Sequence, residues 1–85
     1  MTNTNENYNG WTNWDTWNMN LWLTNEEWVY RYFLRIARQN AEDETAEEIG
    51  ERFELAAKVS WSKLPDGIDN SKVDWTEIAE SFLEE

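Results

Sequence analysis

The sequence predicts an all-α fold, a compact bundle of three to four short helices. Four Thr or Asp residues are each followed three positions later by an acidic residue, which is the capping-box pattern that opens a helix. Each pair precedes apolar residues at helical spacing, and strand-like alternation never extends beyond four residues. At 85 residues the chain has room for one domain. Its core must be dense, since a fold of this size buries only about 60–65% of the surface that the unfolded chain exposes.

The first nine residues are rich in Thr, Asn and Glu and carry almost nothing to bury. We therefore expect a flexible polar tail over 1–9 and a single helical domain over 10–85. Uninterrupted apolar stretches are two or three residues long, so no membrane-spanning helix or signal peptide is expected. These observations favour a cytoplasmic protein.

Two helices are predicted in the first half, at about 13–23 and 25–39. Thr12 with Asp15 opens the first, and Thr24 with Glu27 opens the second. The apolar side of the first helix consists of Trp14, Trp17 and Leu21, with Trp11 one turn earlier. The second helix has two neighbouring apolar stripes: Trp28, Tyr32 and Ile36, and Val29, Phe33 and Ala37. We expect these faces to form one half of the core.

Two further helices are predicted in the second half, at about 46–63 and 75–84. Thr45 with Glu48 opens the third, and Asp74 with Glu77 opens the fourth. The third helix places on one side Ile49, Phe53, Ala56 and Ser60, flanked by Ala57 and Trp61. The fourth has Trp75, Ile78, Ala79 and Phe82. Leu64-Pro65-Asp66-Gly67 ends the third helix, and residues 66–73 form the longest loop.

Composition argues against catalysis and against a metal or other cofactor. The chain has no Cys and no His, so it lacks thiolate ligands, imidazole ligands and the commonest general base. Asp66 and Glu77 have the spacing of a calcium loop, but Ser71 stands where that loop requires Gly. No pair of carboxylates lies in an apolar setting that would raise a pKa. We expect a binding protein and not an enzyme.

Charge is concentrated in the second half. The net charge is −11, and residues 1–40 carry four acids against three bases, whereas residues 41–85 carry fourteen acids against four bases. Seven of those acids fall within 42–54, where like charges on one helix cost a few tenths of a kcal/mol per pair. Such rows of carboxylates imitate the phosphates of a nucleic acid strand. The alternatives are a solvated face and adaptation to high salt.

The candidate partner-binding residues are therefore the acids of this run and a second row near the C-terminus. The first row is Glu42, Asp43, Glu44, Glu47, Glu48, Glu51 and Glu54, and the second is Glu77, Glu80, Glu84 and Glu85. A basic stripe at helical spacing, Arg31, Arg35 and Arg38, is expected to pair with the acidic third helix.

Seven Trp are more than a core of this size readily buries. We expect one or two at the surface, with Trp22 and Trp61 as the candidates for an aromatic interface. A platform for stacking bases would need nearby positive charge, and residues 8–24 contain no Lys or Arg. That absence argues against direct binding of nucleic acid.

Two segments carry a resemblance to known proteins. The pattern Gly10-Trp11-Thr12-Asn13-x-x-Thr16-Trp17, followed by Leu21-Trp22, resembles a group of small proteins from phages and other mobile elements. The segment Val73-Asp74-Trp75-Thr76-Glu77-Ile78-Ala79-Glu80 is similar to the C-terminal end of the same group. The acidic middle is not matched, and Trp14 stands where the group more often has Tyr. The resemblance implies a phage-type setting and a role against host defence, and no mechanism.

Together these observations predict an acidic inhibitor that binds a host DNA- or RNA-binding defence protein, such as a CRISPR effector or restriction enzyme, by DNA mimicry. One alternative is a protein-binding adaptor that uses exposed Trp, with charge serving solubility. Another is a small carbohydrate- or nucleotide-binding module. The sequence leaves open whether the chain forms a homodimer.

Overall fold

The computed structural model describes residues 10–84 as four α-helices in a bundle. They are α1 (Trp14–Asn25), α2 (Glu27–Asn40), α3 (Ala46–Ser60) and α4 (Trp75–Leu83). Two 3₁₀ turns, Pro65–Gly67 and Asn70–Lys72, lie in the connection between α3 and α4. No β-strand occurs between residues 10 and 84, and the predicted all-α bundle is confirmed. The expected tail over 1–9 and Glu85 lie outside the described residues.

Helices α3 and α4 begin as predicted. At α3, the side chain of Thr45 accepts from the N–H of Glu48, and the Glu48 carboxylate accepts from the N–H of Thr45. At α4, Asp74 accepts from the N–H of Glu77 at 3.0 Å. The Glu77 carboxylate does not return to Asp74 and instead accepts from the N–H of Thr12 at 3.2 Å. The start of α4 is thereby tied to the segment before α1.

Helices α1 and α2 begin differently from the prediction. The N-cap of α1 is Asn13 and not Thr12; its side chain accepts from the N–H of Thr16 at 2.8 Å. Thr24 lies inside α1, where its hydroxyl donates to a backbone carbonyl one turn earlier. The two helices therefore meet at one extended residue, Glu26, which makes no side-chain cap.

Three phenylalanines join α2, α3 and α4 at the centre of the core. The rings of Phe33 and Phe53 are edge to face with centroids 5.2 Å apart, and those of Phe53 and Phe82 are 5.1 Å apart. All three are buried, so each ring contributes both apolar burial and a favourable ring geometry. The predicted apolar face of α4 and the stripe of α2 through Phe33 are confirmed as core.

The buried face of α1 differs from the prediction. Its buried side chains are Thr16, Asn18, Met19 and Leu23. Trp14, which was expected in the core, is 36% exposed, and Trp17 and Leu21 are half-buried. Thr16 and Asn18 face inward because they hydrogen-bond to Asp74 and Asp66, whereas Met19 and Leu23 join the apolar core. Within residues 10–84 no helix is both long and apolar enough to cross a membrane.

Candidate protein-binding surfaces

Acids of α3 and the N-cap residue of α4 line one groove, here called the acidic groove. It has a volume of about 460 Å³ and lies between the first half of α3, the segment 72–76 and the start of α1. Its carboxylates are Glu47, Glu51, Glu54 and Asp74. Lys72 is the one base among the described residues that line it. The acids of the first predicted row thus share this groove with Asp74, which was not among the predicted partner-binding residues.

The second predicted row lies beside this groove. Glu77 and Glu80 of α4 and its C-cap Glu84 line a smaller depression of about 260 Å³ with Trp11. Thr12 lines the acidic groove and its N–H binds Glu77, so the two depressions lie on either side of the segment 10–13. The two rows therefore form neighbouring parts of one acidic surface.

Several of the predicted acids are already engaged within the fold. Arg52 donates from Nε and Nη2 to the two carboxylate oxygens of Glu44, the first of these at 2.7 Å. This hydrogen bonding holds the pKa of Glu44 below its usual value and raises that of Arg52. Glu48 caps α3, and Glu54 accepts from the Asn70 side chain at 2.6 Å. Four acids of the first row are exposed and make none of these contacts: Glu42, Asp43, Glu47 and Glu51.

The basic stripe of α2 does not pair with α3, and that prediction is wrong. Arg31 forms an ion pair at 2.5 Å with Glu27 of its own helix. Within residues 10–84 no ion pair joins Arg35 or Arg38 to an acid. The stripe instead lines a groove of about 530 Å³ with Tyr30 and Leu34. The acids of α3 and the turn before it pair with bases of α3, because these lie within one or two helical turns.

An apolar surface missed by the sequence analysis runs along α2 and α3. We call it the aromatic face, and it consists of Trp28, Tyr32, Ile36, Leu55 and Val59. Trp28 is 70% exposed and Val59 87% exposed. The signal was present in the two apolar stripes of α2. The stripe through Phe33 is buried in the core, whereas in the stripe through Trp28 only Ile36 packs against it, and Trp28 and Tyr32 stay exposed.

The two Trp expected at the surface need correction. Trp22 is half-buried, and its Nε1 donates to Asp66 Oδ2 at 3.2 Å. Trp61 is also half-buried, at the end of α3, where it lines a cavity of about 130 Å³ beside Trp28. The most exposed of the seven Trp is therefore Trp28.

The segment 10–17 hydrogen-bonds to the connection between α3 and α4 and to the N-cap of α4. Asn13 donates from its side chain to the carbonyl of Lys72 at 2.8 Å, and the buried hydroxyl of Thr16 accepts from the N–H of Asp74 at 2.8 Å. Asp15 accepts from the N–H of Asp69 at 3.0 Å. These polar residues of the first segment thus fasten the connection before α4.

Among residues 10–84 no group of three or more acidic side chains is placed to hold a metal ion. Besides Glu44, the carboxyl among residues 10–84 with a displaced pKa is Asp69, whose pKa is lowered because its side chain accepts from the hydroxyl and the N–H of Ser71. Both displacements favour the charged carboxylate, whereas a general acid at neutral pH needs a raised pKa.

The profile of DUF7249, a family of unknown function, matches residues 4–84, and the chain belongs to this family. No curated protein and no solved structure matches the chain.

Proposed function

We propose that this member of the family catalyses no reaction and binds a basic, nucleic-acid-binding protein in place of DNA. The partner is a host defence protein, such as a CRISPR effector or a restriction enzyme, met in the host cytoplasm. The observation that carries the proposal is that Glu47 and Glu51 of α3 and Asp74 at the start of α4 line one groove. The acids of α4 extend this surface beyond the segment 10–13.

Charge density is the physical basis of the mimicry. Duplex DNA carries one negative charge per about 1.7 Å of its axis, and one helix presents carboxylates only every 5–6 Å or so. Two rows of carboxylates on neighbouring helices raise the density of negative charge. They also make the acidic surface two rows wide, as the two strands of duplex DNA do. A groove lined with Lys and Arg that tracks phosphates would meet carboxylates at comparable spacing.

The resemblance to phage proteins supports the setting of the proposal, and the acidic groove supports its mode of binding. The four exposed acids of the first row are available to a partner, whereas Glu44, Glu48 and Glu54 already accept hydrogen bonds within the fold. The residues proposed for direct contacts are accordingly Glu47, Glu51, Glu80 and Glu84, with Glu42 and Asp43 at the edge.

The test is capture of the partner from a host lysate, followed by affinity measurements with the purified partner. The Glu47→Gln/Glu51→Gln variant removes two charges from the acidic groove and keeps side-chain size and helix propensity. We expect it to bind about tenfold more weakly, chiefly through slower association, and duplex DNA to compete with the parent. Parent affinity should fall steeply between about 50 and 200 mM salt, because exposed charges are screened.

A matched control removes the same charge elsewhere. Glu26→Gln/Glu27→Gln takes two acids from the start of α2 and should bind like the parent. A Trp-mediated adaptor would give the opposite pattern, with little salt dependence, no competition from DNA and loss of binding on truncating Trp28. Equal binding of the parent and the Glu47→Gln/Glu51→Gln variant at both salt concentrations would refute mimicry through the acidic groove.

A further inference from the structure

The aromatic face combines a projecting side chain with a groove. Trp28 stands 70% exposed beside a small cavity, and Tyr32 separates it from a larger groove of about 390 Å³. Ile36, Leu55 and Val59 line that groove. We propose that a second copy of the chain covers this face, with the α2 helices antiparallel across a twofold axis near Tyr32.

The spacing along α2 makes the face self-complementary. Trp28 precedes Tyr32 by four residues and Ile36 follows it by four, which is about 6 Å along the helix axis in each direction. A twofold axis at Tyr32 therefore places Trp28 of each copy over the groove at Ile36 of the other. A twofold interface requires this reciprocity, in which each contact occurs twice.

Charge favours a second copy over the basic partner at this face. No Asp or Glu of residues 10–84 lines either cavity, and the one charged residue that does, Arg52, is paired with Glu44. Two chains of net charge −11 can approach here without setting carboxylates against each other. A basic protein would meet no acid on this face, so nothing electrostatic directs it there.

The size of the aromatic face fits the centre of a dimer interface. Trp28, Tyr32, Leu55 and Val59 are exposed and together form an apolar patch, and the largest such patch on a typical monomer measures roughly 300–600 Å². A standard interface buries about 800 Å² per partner, with an apolar centre and a polar rim. The aromatic face supplies the centre, and the exposed polar side chains of α2 and α3 around it, such as Gln39 and Arg35, supply the rim.

Sedimentation equilibrium of the purified chain over a range of concentrations tests the proposal. We expect a mass of twice 10.2 kDa, with tighter association at about 500 mM than at about 50 mM salt. Salt screens the repulsion between the copies and leaves the apolar contact intact. This salt response is opposite to that expected for the acidic groove, so the two proposals fail independently.

Two substitutions locate the interface. Trp28→Ala and Val59→Lys alter exposed side chains, so each should fold like the parent by circular dichroism and weaken association at least about tenfold. Trp14→Ala, at an exposed Trp outside the face, is the matched control and should associate like the parent. A mass of one chain at every concentration and both salts overturns the proposal, as does full association of Val59→Lys.

Discussion

Gly50 of α3 lies directly against the backbone of Trp75, the first residue of α4. A β-carbon at position 50 would stand 2.9 Å from both the carbonyl carbon and the carbonyl oxygen of Trp75. Only Gly allows the two helices to cross this closely. The groove beside the crossing is lined by Glu47 and Glu51, on either side of Gly50 in the chain, and by Asp74, next to Trp75. The close approach therefore brings the acids of α3 to the N-cap of α4.

Gly50→Ala should destabilise the fold. Ala gains about 1 kcal/mol in helix propensity, but the clash falls on backbone atoms that move only if α4 moves, and overpacking costs typically about 1–3 kcal/mol. We expect a net loss of about 1 kcal/mol in the free energy of unfolding, measured by urea denaturation followed by circular dichroism. Glu51→Ala, one position along on an exposed site, should change it by less than about 0.5 kcal/mol. A Gly50→Ala variant as stable as the parent would contradict the crossing.

The hydrogen bond between Thr16 and Asp74 gives a second prediction. Thr16 is fully buried, and its hydroxyl is the acceptor for the Asp74 N–H. Thr16→Val keeps the shape and removes that acceptor, which should cost about 1–3 kcal/mol of unfolding free energy. Thr16→Ser retains the hydroxyl and should lose clearly less. Thermal or urea unfolding measures the loss of unfolding free energy in each variant. Equal losses in the two variants would mean that Thr16 stabilises the fold through packing and not through this hydrogen bond.

The fold class and the approximate positions of all four helices follow from sequence because local signals agree with the tertiary packing, but α3 ends at Ser60, with Trp61 as its C-cap, and not at residue 63 as predicted. The capping box of Thr45 is the clearest case: it forms as a local unit in the structure. Thr24 shows where such reasoning fails. Its capping pattern is intact, but α1 continues past it, and its hydroxyl bonds backward into the helix. The local pattern cannot decide whether the Thr24 hydroxyl caps α2 or bonds within α1, because either arrangement gives it a hydrogen-bond partner.

The candidate site was predictable only in part. The acids of α3 were identified from their run, but their meeting with Asp74 depends on the helix crossing at Gly50, which is a long-range contact. The exposed position of Trp28 was missed for a related reason. The two apolar stripes of α2 are equally regular in sequence, and only the packing of Phe33 against Phe53 decides which one is buried.

Asp66 gives a third prediction, because its backbone is in the left-handed region with φ of 59°. Its carboxylate oxygen also accepts from the side chains of Trp22 and Asn18, at 3.2 and 3.3 Å. Asp66→Ala removes both acceptor contacts and adds left-handed strain, so we expect a loss of about 1–2 kcal/mol in unfolding free energy. Asp66→Asn tolerates that conformation and keeps an acceptor, so thermal unfolding should show a smaller loss. A larger loss for Asp66→Asn than for Asp66→Ala would contradict this account.

The pair of Glu44 and Arg52 gives a pH-dependent prediction. The hydrogen bonds from Arg52 hold the pKa of Glu44 in the fold below its ordinary value of 4.5. As the pH falls, the Glu44 carboxyl therefore takes up a proton in the unfolded chain before it does in the folded one. Protonation of Glu44 thus favours unfolding. The contribution of Glu44 to stability is present above about pH 4.5 and is lost as the pH falls through its lower folded pKa.

The measurement is the urea midpoint of the parent and of Glu44→Gln from about pH 7 to about pH 3. At neutral pH we expect the urea midpoint of the parent to lie slightly above that of Glu44→Gln, because exposed ion pairs contribute little to stability. This gap between the two midpoints should close below about pH 4.5. Glu42→Gln, an exposed acid that has no ion pair among the described residues, is the control and should follow the parent at every pH. A gap between the parent and Glu44→Gln that stays constant or widens in acid would show that the pair does not lower this pKa.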